Sequence, residues 1–234
     1  YVDREELPQF KGGMVGYIGY DTARFFEPQS AKKEMPDQLK VPDIYFMLAK
    51  EVVCFDHLSR RLYVIANVSV DRGNLRECYL TACAKIEGNL DALSIPVNLP
   101  HVSVINEKCE IDWKSNIERQ EFCDMVSSAR NLIQQGDIMQ VVFSQRFEMD
   151  CLGDPLTLYR MLWMINPSPY MFLVNFGDEL TLVGSSPEVH VRSINGLINI
   201  RPIAGTCMRG RTKELDDSLA LELLADPKER AEHL

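Results

Sequence analysis

The chain has 234 residues, 46% hydrophobic and 25% charged, which is ordinary for a globular protein and leaves enough apolar mass for one large domain or two small ones. A formal net charge of -9 and a pI near 5.0 argue against the basic face that nucleic acid or an anionic membrane would need, so neither is expected as a partner and an anionic ligand would have to be held by local devices. No apolar run is long enough to cross a bilayer. The cysteines Cys54, Cys78, Cys83, Cys109, Cys123, Cys151 and Cys207 are odd in number and form no C-x-x-C pair, the usage of reduced thiols in a cytoplasmic protein. The opening Tyr1-Val2-Asp3-Arg4-Glu5-Glu6 is neither a signal peptide nor led by methionine, so a piece of something longer is expected.

Gly12 to Tyr20 carries four glycines among aromatic and branched residues, without the G-x-G-x-x-G spacing of a dinucleotide loop. Glycine within a strand pattern marks close backbone approach, and a strand is predicted over 14–19. Residues 27–42, rich in proline and charge, are expected to be a surface loop. Ile44 to Phe55 and Arg61 to Val70 read as two strands joined by Asp56-His57-Leu58-Ser59-Arg60, with His57 a turn residue. Leu75, Tyr79, Ala82 or Cys83, Ile86 and Leu90 fall at helical spacing after Asn74, which predicts a helix over 75–93 capped by Asn74 and laid on the preceding strands. Residues 94–111 show no sustained period, and a boundary between regions 1–105 and 106–234 is placed there.

Ser115-Asn116-Ile117-Glu118 fits a capping box ahead of a helix ending at Gln135, with Phe122, Val126, Ala129 and Ile133 as its buried stripe and Gly136 as its left-handed stop. A strand is predicted over 138–149, with Met139, Val141, Phe143 and Phe147 on one face. Gln140, Val142, Ser144 and Arg146 lie on the other, which is either a solvent edge or the floor of a polar cavity. Asp154-Pro155 opens a helix that Asn166-Pro167-Ser168-Pro169 ends. Two strands over 170–176 and 179–184 lead to a hairpin, Val189 to Ser193 and Leu197 to Ile203, turning at Asn195-Gly196. Its open ends, Ser186-Pro187-Glu188 and Ala204-Gly205-Thr206, must then lie side by side. A basic, flexible loop over 207–213, a helix over 216–225 and a second helix from Asp226-Pro227 complete the pattern, with Glu229, Glu232 and His233 on one face. Read alone, Glu188 is a loop carboxylate, and Glu229 and Glu232 are a solvated helix face, since the helix dipole by itself favours carboxylates in a first turn.

The blocks Gly136 to Arg146, Asn166 to Met171, Gly184 to Glu188, Arg201 to Thr206 and Asp226 to His233 together resemble the large subunit, component I, of the anthranilate synthases, which are chorismate-utilising enzymes. The resemblance covers essentially the whole chain. It implies an α+β fold of packed β-sheets with flanking helices, here an incomplete chorismate-binding fold, and conversion of chorismate and ammonia to anthranilate and pyruvate. Glu188 would be the general acid that protonates the departing hydroxyl, a role that calls for a raised pKa. Ala204, Gly205 and Thr206 would contact substrate. Glu232, with Glu229 beside it, would hold magnesium (Mg2+), for which carboxylate oxygens are suitable ligands. Gln140 is the other catalytic candidate: related water-adding enzymes have a lysine base there, so an amide implies no water activation. Ala204 stands where aminodeoxychorismate synthases often have a nucleophilic lysine, so ammonia would attack directly. Asn166, Pro167, Ser168, Pro169, Tyr170 and Met171 would form half of a tryptophan effector site, and a glutamine amidotransferase small subunit would be the partner. The family's C-terminal catalytic histidine and second metal glutamate have no counterpart before Leu234, which implies a chain inactive by itself. Aminodeoxychorismate synthase and a non-catalytic tryptophan-sensing or docking relative are the alternatives.

Overall fold

The computed structural model describes residues 4, 6–27, 37–70, 74–102, 112–150, 153–203 and 205–233. The chain divides into two units, Tyr1–Pro100 and His101–Leu234; residues 105 and 106, where the sequence places its boundary, lie outside the described residues. The class is α+β, with helices and antiparallel strand pairs.

In the first unit, β1 (Gly13–Ile18) pairs antiparallel with β2 (Ile44–Ala49), Gly16 opposite Phe46. A Cβ at residue 16 would collide with the Tyr45 carbonyl and come within 2.8 Å of Phe46 Cα, so the predicted close backbone approach is real. After β1, a 3-10 turn over Tyr20–Thr22 runs into the single-turn helix α1 (Ala23–Phe26), which the sequence pattern did not reveal. Most of the expected surface loop lies outside the described residues, and its tail, 37–42, is exposed.

The predicted strand 44–55 is two strands. Beyond β2, the run continues as β3 (Glu51–Asp56), which pairs with β4 (Arg61–Ala66) instead of β1. The change of partner falls at Lys50, whose carbonyl oxygen accepts from both the backbone N–H of Asn67 (2.8 Å) and its side-chain amide (3.1 Å). The same amide donates to Lys11 O at 2.6 Å. Periodicity shows that a run is extended but not which neighbour it meets. The β3–β4 turn is held by Asp56, whose carboxylate accepts from Leu58 N, Ser59 N and Ser59 Oγ. Helix α2 (Leu75–Ser94) starts as predicted, the Asn74 side chain accepting from Arg76 N. It lies on the β3–β4 pair through Lys85 and Asn89, which both donate to the Glu51 carboxylate.

In the second unit, the capping box does not form. Ser115 closes β5 (Trp113–Ser115), its Oγ turned onto the backbone of Ile117, and α3 (Arg119–Gln135) begins after Glu118 with no side-chain cap. A serine can bond its own backbone two residues on as readily as it caps a helix. The helix ends as predicted: Gly136 is left-handed (φ 80°), and the bonds Gly136 N to Ile133 O and Asp137 N to Leu132 O close a Schellman motif. Of its expected stripe, Ala129 is buried, at 7% exposure, while Val126 and Ile133 stay exposed. The apolar stripe is wider than the segment 138–143 that covers it.

The predicted strand 138–149 shrinks to β6 (Phe147–Met149), paired with β5. Residues 138–146 carry strand alternation but have no strand partner among the described residues, and a strand needs a paired edge as well as a pattern. Phe143 meets Phe122 of α3 edge-on, ring centroids 6.0 Å apart, while Met139 and Val142 are 83% and 84% exposed.

Asp154 caps α4 (Pro155–Ile165), accepting from Thr157 N and Thr157 Oγ1. Next come β7 (Tyr170–Asn175) and β8 (Thr181–Ser186), turning at left-handed Gly177, with Phe172 opposite Gly184. The hairpin is β9 (Arg192–Ile194) and β10 (Leu197–Asn199); Asn195 (φ 51°) and Gly196 (φ 79°) make the predicted turn, though the paired strands are shorter than the apolar runs. Thr212 caps α5 (Lys213–Ala225), and Asp226 accepts from Lys228 N and Glu229 N at the start of α6 (Pro227–His233).

Candidate functional site

The two open ends of the β9–β10 hairpin meet, as the turn requires. Glu188 lies just past β8 and is half-buried; its Oε1 accepts from Ile203 N at 2.9 Å, and Ser186 Oγ donates to the Glu188 carbonyl oxygen at 3.2 Å. A carboxylate from one end thus holds the backbone of the other two residues before Gly205.

Gly205 lies directly against Glu229 of α6. A Cβ at residue 205 would strike the Glu229 carboxylate and fall 2.9 Å from its Cγ, so only glycine leaves room for this packing. Glu229 Oε2 is buried without a hydrogen-bond partner among the described residues, and Oε1 lies 3.7 Å from Lys228 Nζ. A buried carboxylate oxygen with no partner is costly. It is also the type of donor that a hard divalent cation takes, so Glu229 fits magnesium as a single ligand. Among the described residues no group of three His, Cys, Asp or Glu side chains is assembled for a metal. Glu232 follows on α6 with its side chain outside the described set, and Ala204 is also outside it. Thr206 is exposed.

Gln140 is exposed on the run 138–146, which meets α3 through Phe143 and the end of β5 through Gln145 and Arg146. Asn166 to Met171 joins α4 to β7. There Ser185 Oγ donates to Asn166 O at 2.7 Å, and Ser168 Oγ is buried without a partner among the described residues. Pro167, Pro169 and Tyr170 are exposed and Met171 is half-buried.

The loop 207–213, predicted to be flexible, is fastened to α5. Arg209 Nε donates to both carboxylate oxygens of Asp216 (2.7 and 3.0 Å), and Gly210 N donates to Asp216 Oδ1 at 2.8 Å. The Arg209 guanidinium, then the Gly210 N–H, hold the Asp216 carboxyl below its usual value, and Asp216 in turn raises the pKa of Arg209. The sequence pattern did not reveal this arrangement. Its signal is an Arg-Gly pair just before a Thr helix cap, with an aspartate four residues beyond the cap, in Arg209-Gly210-Arg211-Thr212-Lys213-Glu214-Leu215-Asp216.

Residues 2–234 match the sequence profile of the chorismate binding enzyme family. Anthranilate synthase component 1 of Aquifex aeolicus (strain VF5) is 42% identical over 231 residues, 98% of this chain and 46% of the relative. The protein of that name from Acetivibrio thermocellus is 42% identical over 232 residues, 97% of this chain and 46% of its own length. The crystal structure of anthranilate synthase component I from Streptococcus pneumoniae TIGR4 superposes with a TM-score of 0.79 at 33% identity, covering 99% of this chain and 49% of that one. The chain therefore spans a little under half the length of these relatives. A profile matched along nearly all its residues, together with a solved relative of the same fold, places the chain in the family of chorismate-binding enzymes.

Proposed function

We propose that the chain supplies part of the active site of an anthranilate synthase large subunit, which converts chorismate and ammonia to anthranilate and pyruvate. The observation that carries this reading is the meeting of Glu188, Ile203, Gly205 and Glu229 at the open end of one hairpin. With Oε1 of Glu188 engaged by Ile203 N, Oε2 is the atom that can carry a proton to the leaving hydroxyl. Ammonia then adds to the ring and pyruvate leaves; Ala204 has no nucleophile with which to intercept the ring first. Gly205 and Thr206 contact the substrate through backbone and hydroxyl. Gln140, a neutral amide, would not act as a base toward water. Glu229 and Glu232 would hold magnesium, which neutralises the substrate carboxylate when bound. The reading is tested by supplying the chain, at the full length at which it is synthesised, with chorismate, magnesium and ammonia and following anthranilate fluorescence; the absence of that product, or 4-amino-4-deoxychorismate in its place, overturns it.

The same reading makes Asn166 to Met171 part of a tryptophan site, supported by the unpartnered Ser168 hydroxyl. It also makes a glutamine amidotransferase subunit the source of ammonia and the cytoplasm the site of action. Tryptophan inhibition relieved by Ser168→Ala, with activity otherwise retained, is the expected result.

A further inference from the structure

We propose that Asp216 is a positioning residue: with Arg209 and Gly210 it sets Glu229 against Gly205, and so fixes the metal and substrate end of the site without touching either ligand. This rests on the proposed chorismate chemistry at Gly205 and Glu229. The chain leaves Gly205, passes through the loop 207–212, and continues along α5 to Asp226, whose carboxylate caps α6 and so orients Glu229 back onto Gly205. Two places set the geometry of this closed path, the Asp226 cap and the fastening of the loop to α5.

The second is the Asp216 clamp. Asp216 is 25% exposed and its carboxylate takes donors from two successive residues of the loop, one a planar fork and one a backbone N–H. Gly210 also packs flat on the first turn of α5: a Cβ there would come within 2.6 Å of Asp216 Cα and strike Asp216 N. The Cys207 thiol adds a weak contact, donating to Leu219 O at 3.8 Å. Arg209 itself is 88% exposed, so a simple surface ion pair would contribute little. The engaged backbone and the excluded Cβ make the loop's path specific to this clamp. Releasing it lets the loop lift from α5, and the Gly205 and Glu229 ends then drift apart.

The test uses the chain at the full length at which it is synthesised, with Asp216→Ala, Gly210→Ala and Arg209→Lys. Mn2+ replaces magnesium and its binding is read by electron paramagnetic resonance, while the chorismate KM is separated from kcat with ammonia as cosubstrate. Asp216→Ala and Gly210→Ala each weaken Mn2+ binding and raise KM roughly tenfold, the usual consequence of losing an orienting partner of a metal ligand, with kcat at saturation within about twofold. Arg209→Lys keeps the charge but loses the fork and gives a smaller shift in the same direction. Should Asp216→Ala fail to fold, the other two variants carry the comparison. Unchanged Mn2+ affinity and KM in the folded variants overturn the clamp and leave the anthranilate reading standing. Mn2+ binding that the variants weaken, in a wild type that makes no anthranilate, supports the clamp and overturns the reading. A wild type that binds no Mn2+ overturns both.

Discussion

Glu188 and Ile203 are fifteen residues apart in sequence and are joined by a hydrogen bond, Ile203 N donating to Glu188 Oε1 at 2.9 Å. The bond needs an acceptor but no charge. Glu188→Gln should therefore keep the hairpin closed while removing the proposed proton donor. Activity of the full-length protein should fall roughly 100- to 10,000-fold, the usual contribution of a general acid, with an unchanged circular dichroism spectrum and melting temperature. A variant retaining more than a tenth of the wild-type rate would show that the carboxyl is structural.

Gly184 faces the Phe172 ring across the β7–β8 pair, and a Cβ at residue 184 would overlap that ring. Gly184→Val should cost about 1–3 kcal/mol through overpacking, measured by urea unfolding. Phe172→Leu, which shortens the obstacle, should recover part of the loss in the double variant.

Asn74 caps α2 through a single side-chain bond to Arg76 N. Asn74→Ala should cost about 1 kcal/mol, while Asn74→Asp or Asn74→Ser should cost only a small fraction of that. Chemical denaturation of the three variants side by side checks the ranking.

The Asp154 cap gives a pH signature. Its carboxylate accepts from Thr157 Oγ1 first and Thr157 N second, which holds its pKa below the usual value of 3.8. A group whose folded pKa is depressed stabilises the fold above its unfolded pKa and loses that contribution as pH falls through the folded value. Asp154→Asn keeps a capping oxygen that does not titrate. The variant's stability should therefore depend less steeply on pH below about 4, as measured by denaturation at stepped pH.

The run 138–146 leaves Met139 and Val142 in water beside backbone that pairs with no strand among the described residues. Exposed apolar strand edges template association. Val142→Lys should raise the concentration at which the 234-residue chain begins to self-associate, as followed by light scattering.

Much of the fold is legible in the sequence because it is written locally. Asn74, Asp154, Gly136 and the Asn195-Gly196 turn act through bonds spanning a few residues, and each appears where its chemistry predicts. The failures share one cause, which is that a pattern does not name its partner. Residues 44–55 read as one extended apolar run, yet change neighbours at Lys50; residues 138–146 alternate and find no strand among the described residues. Ser115 had two local bonds available and took the turn. At the site, the tight turn foretold the meeting of Glu188 with the opposite strand end, whereas the Arg209–Asp216 fastening required knowing that the loop folds back on α5.

Asn67 has a wider consequence than its size suggests. One amide nitrogen holds Lys11 O, ahead of β1, and Lys50 O, between β2 and β3. The β1–β2 and β3–β4 pairs therefore share a rivet, so that one ladder cannot melt while the other remains whole without breaking it. Hydrogen exchange should find these four strands opening as a single cooperative block, with Asn67→Ala separating it into two.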